Sequence, residues 1–163
     1  MFEIESKNQD EIILTTKKTT VKFNIKNETI DANLAVGKIK GPGEFEIGDA
    51  TIRGILTTSN KTIYDVEVGG IHIGILGDIE ENLDDIVADI LCTSSIRAIR
   101  EIEPKLVVSM GNVDAMVSEL KLSARSDKKL KVKSLDSLPT TKEVVVLNWW
   151  TPIYYILLLF FSL

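Results

Sequence analysis

Asp78 is the residue of this chain best placed to do chemistry. It follows Gly77 at the end of the apolar run Ile71, Ile73, Ile75 and Leu76. A carboxylate just past the carboxyl end of a buried strand stands where open sheets build their sites. Such a group can hold a metal or move a proton, and the local alternative is that it caps the segment after it. Glu80, Glu81, Asp84 and Asp85 come soon after; with Asp78 they offer oxygen ligands for a hard cation or, equally, the acidic opening of a helix. His72 and Cys92 are each the only residue of their type. No second histidine exists to orient a serine or cysteine nucleophile, and there is no Gly-x-Ser-x-Gly elbow or Gly-rich dinucleotide fingerprint. Cys92 cannot form an intramolecular disulfide, so it reads as a small buried hydrophobe in a reducing, cytoplasmic compartment. Glu44 and Glu46 share one strand face by period two, as an exposed sheet face would have them.

The elements that position Asp78 are legible around it. Residues 61–78 alternate apolar and polar side chains about Gly69-Gly70, a pair that permits the positive backbone angles of a two-residue hairpin turn. Upstream, residues 2–6, 11–16 and 20–25 are short β-branched runs separated by polar clusters, which predicts an antiparallel meander. A short strand is expected at 34–36, a corner at Gly41-Pro42-Gly43, and strands at 44–48 and 51–57. No Gly-Lys-Ser/Thr comes after that corner, so it is not a phosphate loop. Beyond Asp78 the period changes: Leu83, Ile86, Val87, Ile90 and Leu91 recur at helical spacing and predict a helix over 82–91. Ser94 or Ser95 can cap a second helix carrying Ile96, Ile99 and Ile102, ended by Pro104. Residues 106–110 read as a strand covered on both faces. Asn112 opens a third helix with Val113, Met116, Val117 and Leu120 inward, and 130–133 and 144–147 complete the strands. Strands first and β-α-β alternation afterwards predict an α/β layered domain.

A chain of 163 residues, 44% hydrophobic, suits one domain with a real core. Its net charge of −5 argues against nucleic acid as a partner, since phosphate neutralisation needs a basic face. Lys128, Lys129, Lys131 and Lys133 lack interleaved aromatics and read as a solvated loop and strand edge. The first ten residues are polar and charged, with no apolar signal-peptide core. The domain is expected to span 1–147, with an apolar tail, 148–163, which carries Trp149 and Trp150 and ends at Leu163. A helix from Pro152 would be about 18 Å long, short of the roughly 30 Å hydrocarbon core. Its Trp and Tyr residues nonetheless suit a membrane interface, so shallow membrane contact through Trp149 to Leu163 stands beside packing on the domain.

Several pieces of sequence together carry a resemblance: Gly41-Pro42-Gly43-Glu44-Phe45-Glu46-Ile47 with Ile52-Arg53-Gly54-Ile55, Asn60-Lys61-Thr62-Ile63-Tyr64, and Gly70-Ile71-His72-Ile73 running into Leu76-Gly77-Asp78. Ile102-Glu103-Pro104-Lys105-Leu106-Val107-Val108, Leu130-Lys131-Val132, Asp136-Ser137-Leu138-Pro139 and Glu143-Val144-Val145-Val146-Leu147 come after them in the same order. In order and spacing they resemble the metallo-β-lactamase superfamily, in its branch of small zinc-dependent hydrolases similar to ascorbate-6-phosphate lactonase. The resemblance implies a shortened αββα sandwich, with a strand inside 88–94 where periodicity alone proposes a helix. It also implies a zinc site built on a His-x-His-x-Asp-His loop, which this chain lacks. Ile75 stands where many relatives carry His, Gly111 and Asn112 stand at the later ligand histidine, and His72 resembles a non-ligand position. Asp78 alone corresponds to a metal ligand. The expected function is therefore a degenerate, metal-free or metal-poor domain of this fold, without hydrolase activity, acting in binding or assembly as a homo-oligomer or with a protein partner. Two alternatives stand beside it: a metal-dependent hydrolase of a lactone, phosphoester or similar substrate using Asp78, and a domain anchored to a membrane by its tail. Loss of covering elements is expected to leave one sheet face incompletely covered, its apolar surface buried against another copy or a partner rather than left in water.

Overall fold

The structure, a computed structural model, describes residues 1–32 and 37–147. The strand expected at 34–36 and the tail at 148–163 lie outside the described residues. A first sheet is built from β1 (Phe2–Asn8), β2 (Glu11–Thr15), β3 (Thr20–Asn24), β4 (Thr29–Asp31) and β5 (Ile39–Lys40). The chain then crosses at Gly41-Pro42-Gly43, where Gly41 and Gly43 have φ of 82° and 148°, into a second sheet. That sheet receives β6 (Gly43–Ile47), β7 (Ala50–Leu56), β8 (Thr62–Val68), β9 (Ile71–Gly77), β10 (Ile90–Thr93) and β11 (Leu106–Ser109), with α1 (Ile96–Ile102) between the last two. After α2 (Val113–Leu120) come β12 (Ser123–Asp127), β13 (Leu130–Val132) and β14 (Glu143–Leu147). The strand orders are β13-β1-β2-β3-β4-β5 and β12-β14-β11-β10-β9-β8-β7-β6. From β9 to β12 the second sheet is parallel; from β6 to β9 it is antiparallel.

The expected meander and hairpin are both present. Val68 pairs with Ile71 across Gly69-Gly70, whose φ values of 57° and 79° are those a two-residue hairpin turn needs. Period two sends Tyr64, Val66, Ile73 and Ile75 into the space between the sheets, against Ile4, Leu14, Val21 and Phe23. Ile63 and Leu76 point to the other face, where Leu91, Val107 and Val144 meet Ala98, Ile99 and Met116 of the two helices. Ser95, not Ser94, caps α1, its side chain accepting from the Ala98 amide at 3.0 Å.

Three expectations are corrected. Residues 82–91 form a single 3₁₀ turn, Leu83–Asp85, and then β10, so the strand implied inside 88–94 is present and the periodic helix is not. Ile90 packs between the sheets and Leu91 under the helices. Such burial on both faces produces an unbroken apolar run that periodicity cannot separate from a helix. Val87, expected inward, is 68% exposed. In α2, Val117 is 38% exposed rather than buried. Finally, β12 has no counterpart among the expected strands: all five of its residues are exposed and polar or small, and it forms by pairing along β14.

Among the described residues both helices cover the eight-stranded sheet. The outer face of the six-stranded sheet carries Glu3, Glu5, Lys22 and Lys131 rather than an apolar surface. Lys129 adds an ion pair to Glu3 at 3.1 Å on this side. The anticipated apolar open face is therefore polar in the structure, as a face that meets water must be.

Candidate functional site

Gly77 determines how Asp78 is presented. Its φ of 59° lies in the left-handed region, and a Cβ there would come within 2.9 Å of Ile25 Cγ2, so a side chain at this position would be strained and would have to displace Ile25. The turn leaves Asp78 exposed at the carboxyl end of β9. Asp78 is not the cap of the adjoining 3₁₀ turn, whose N-cap is Asn82. The neighbouring strand ends are locked to Gly77: its carbonyl accepts from the Thr93 hydroxyl and the Ser94 amide, both at 2.8 Å. The Met110 amide donates to Thr93 O at 3.0 Å, and Asn112 Nδ2 reaches Ser94 O at 3.3 Å. Asn112 thus stands at the head of α2, but its side chain ties two loops together instead of capping the helix.

These strand ends form one wall of a cleft of about 450 Å³. The other wall comes from the first sheet, where the Ile25 amide donates to Asp10 O at 2.8 Å. Gln9, Asp10, Lys26, Lys61, Asp78 and Ser94 supply its polar groups, and Ile25, Ile79 and Met110 its apolar ones. Two carboxylates, two ammonium groups, a hydroxyl and an amide can hold a small polar ligand by hydrogen bonds and charge. Of these only Asp78 is singled out by the sequence. Asp10 and Lys26 belong to turns more than fifty residues upstream of Asp78, and no local signal marks them.

No protein-family model matches the sequence, and no curated protein does either. Among solved structures, the chain is similar to one from Thermotoga maritima, proposed to be a zinc-dependent hydrolase of the metallo-β-lactamase superfamily. The two superpose with a TM-score of 0.63 at 16% identity, over 90% of this chain and 98% of the other. The fold is metallo-β-lactamase-like. Since nearly the whole of that structure is covered, the expected shortening does not show against this neighbour.

The cleft does not fit a zinc ion of the kind named for that neighbour. Zinc needs about three protein ligands, usually rich in His or Cys. Among the described residues there is no group of three or more His, Cys, Asp or Glu that could hold a metal. Residues 33–36 and 148–163 contain none of these four types. Asp78 and Asp10 are instead accompanied by the lysines 26 and 61, whose charges oppose a divalent cation.

The remaining candidates lie elsewhere. His72 sits at the opposite end of β9 and on its other face, in a second cleft with Glu44, Glu46, Arg53, Asp65 and Glu67. Its Nδ1 is 3.7 Å from Asp65 Oδ1, while Arg53 holds Asp65 Oδ2 at 2.8 Å. Glu44 and Glu46 are exposed on one face, as their spacing implies. Cys92 is buried between the sheets, which pushes its thiol up to about 12 and leaves it protonated and unreactive. Of the four acidic residues after Asp78, Asp84 is exposed and the other three make local bonds: Glu80 accepts from Ser95 Oγ at 2.7 Å, and Asp85 from Asn82 Nδ2 at 3.0 Å. Glu81 accepts from Thr58 Oγ1 and the Ser59 amide. Glu80 and Glu81 thereby tie the segment before the 3₁₀ turn to the cap of α1 and to the loop between β7 and β8. Among the described residues no helix is long and apolar enough to cross a membrane.

Proposed function

We propose that this chain is a metal-free binding or assembly domain on a metallo-β-lactamase-like fold, without hydrolase activity. One observation carries the reading: Asp78 lines the strand-end cleft together with Lys26, Lys61 and Ser94, while the single histidine lies on the far face of the same strand. A metal-activated water requires a cation held by several ligands, and this cleft offers opposed charges instead. Its mixture of carboxylates and ammonium groups suits a small polar ligand bearing both signs of charge. The test is hydrolysis of lactone and phosphoester substrates by zinc-supplemented protein, beside the Asp78→Ala variant. The expected result is no turnover above the zinc blank in either. Metal-dependent turnover that disappears in Asp78→Ala would establish the hydrolase reading in its place.

A further inference from the structure

We infer that β12 is a self-complementary edge through which two copies of this chain join their eight-stranded sheets, antiparallel about Ser126. The two sheets present four outer edges among the described residues: β12 and β6 on one, β13 and β5 on the other. An exposed edge carries unpaired backbone groups and is a template for another strand unless its side chains oppose pairing. Three of the four are protected. β5 is two residues long. β13 has Lys131 at its centre, so self-pairing there sets lysine against lysine. β6 begins beside Pro42 and carries Glu44 and Glu46, which would face each other across a two-fold axis.

β12 differs from these three. It is five residues long, exposed at every residue, and contains no proline, glycine or lysine. An axis on its central Arg125 would set arginine against arginine, but an axis on Ser126 does not. Its register with β14 places Ser123, Arg125 and Asp127 on the face shared with Glu143, Val145 and Leu147. Arg125 is held in this row by Glu143 at 2.9 Å, with Asp127 at 3.4 Å. A second β12 laid antiparallel about Ser126 sets each Arg125 opposite the other copy's Asp127, giving two cross-strand pairs of opposite charge on one face. The occupant of this edge is thus another copy of the chain, selected by charge order. This rests on the assembly part of the proposed function; zinc or hydrolysis results that overturned the metal-free part would leave the association data standing.

The test uses the full chain, by sedimentation equilibrium over micromolar concentrations. Arg125→Asp and Asp127→Arg each put like charges opposite one another, so each variant is expected to dimerise roughly tenfold or more weakly than the parent. Mixing the two variants in equal amounts restores opposite charges across the axis and should recover the dimer, which also shows that both remain folded. Ser126→Cys should crosslink to itself under mild oxidation, because residues facing each other across antiparallel strands lie within disulfide reach. Ser123→Cys, displaced on the order of 20 Å from its counterpart by the same register, should not. A monomeric parent, variants that associate as the parent does, no recovery on mixing, or equal crosslinking at 123 and 126 would each overturn the inference.

Discussion

Glu81 is half-buried, and hydrogen bonding from Ser59 and then Thr58 holds its carboxyl down at about 2 from the ordinary 4.5. A folded value below the unfolded one means that the protonated clamp is disfavoured only in the native state. Its contribution is therefore complete above about pH 4.5 and is lost as pH falls toward 2. Glu81→Gln should lower stability at neutral pH and flatten the acid limb of the profile, measured by urea unfolding between about pH 2 and 7, with the two proteins converging toward pH 2. Cys92 works in the opposite sense. Its folded thiol is raised to about 12 by burial, so the unfolded chain loses this proton first. Stability from this group is present below about pH 9 and declines toward pH 12. Native protein at pH 8 should resist iodoacetamide, and urea should release one reactive thiol per chain. Asp78 is exposed and bound to nothing that holds the fold, so Asp78→Ala should change stability by no more than about 0.5 kcal/mol.

At the scale of elements, the segment 82–91 separates what a sequence can disclose from what it cannot. The β8–β9 hairpin is readable because Asp65, Glu67 and His72 alternate with its apolar residues on either side of Gly69-Gly70, which marks the turn. β10 is not, because parallel neighbours and two apolar layers bury every one of its residues. The resemblance, not the periodicity, points to that strand. β12 escapes for the converse reason: Ser-Ala-Arg-Ser-Asp has no apolar side, and only the edge of β14 makes it a strand. Mutations distinguish the strand from the helix reading. Leu91→Ala should cost about 2–5 kcal/mol, as a buried Leu truncated under the helical layer does. Val87→Ala should cost less than about 0.5 kcal/mol, since Val87 faces water. A helix over 82–91 would make both substitutions expensive. Ser95→Ala should remove about 1 kcal/mol by leaving the Ala98 amide uncapped.

For the whole molecule, the fold is more legible in the sequence than the site. The meander, the hairpin and the β-α-β alternation can be read from strand and helix periods in order, and the sandwich from the resemblance, whereas the cleft gathers side chains from turns that only the closed fold brings together. Asp78 is visible because it ends a buried strand; Asp10, Lys26 and Ser94 have no such marker. The described fold closes on Leu147, which packs between the sheets at the end of β14. Deleting 149–163 should accordingly keep a single cooperative thermal transition and raise soluble yield. Flotation of both forms with liposomes should show whether membrane attachment depends on the tail. The central claim concerns the metal, and elemental analysis of protein purified without chelator, then dialysed against micromolar zinc, tests it most directly. Zinc well below one ion per chain is the predicted result; one or more tightly held zinc ions per chain would contradict the account.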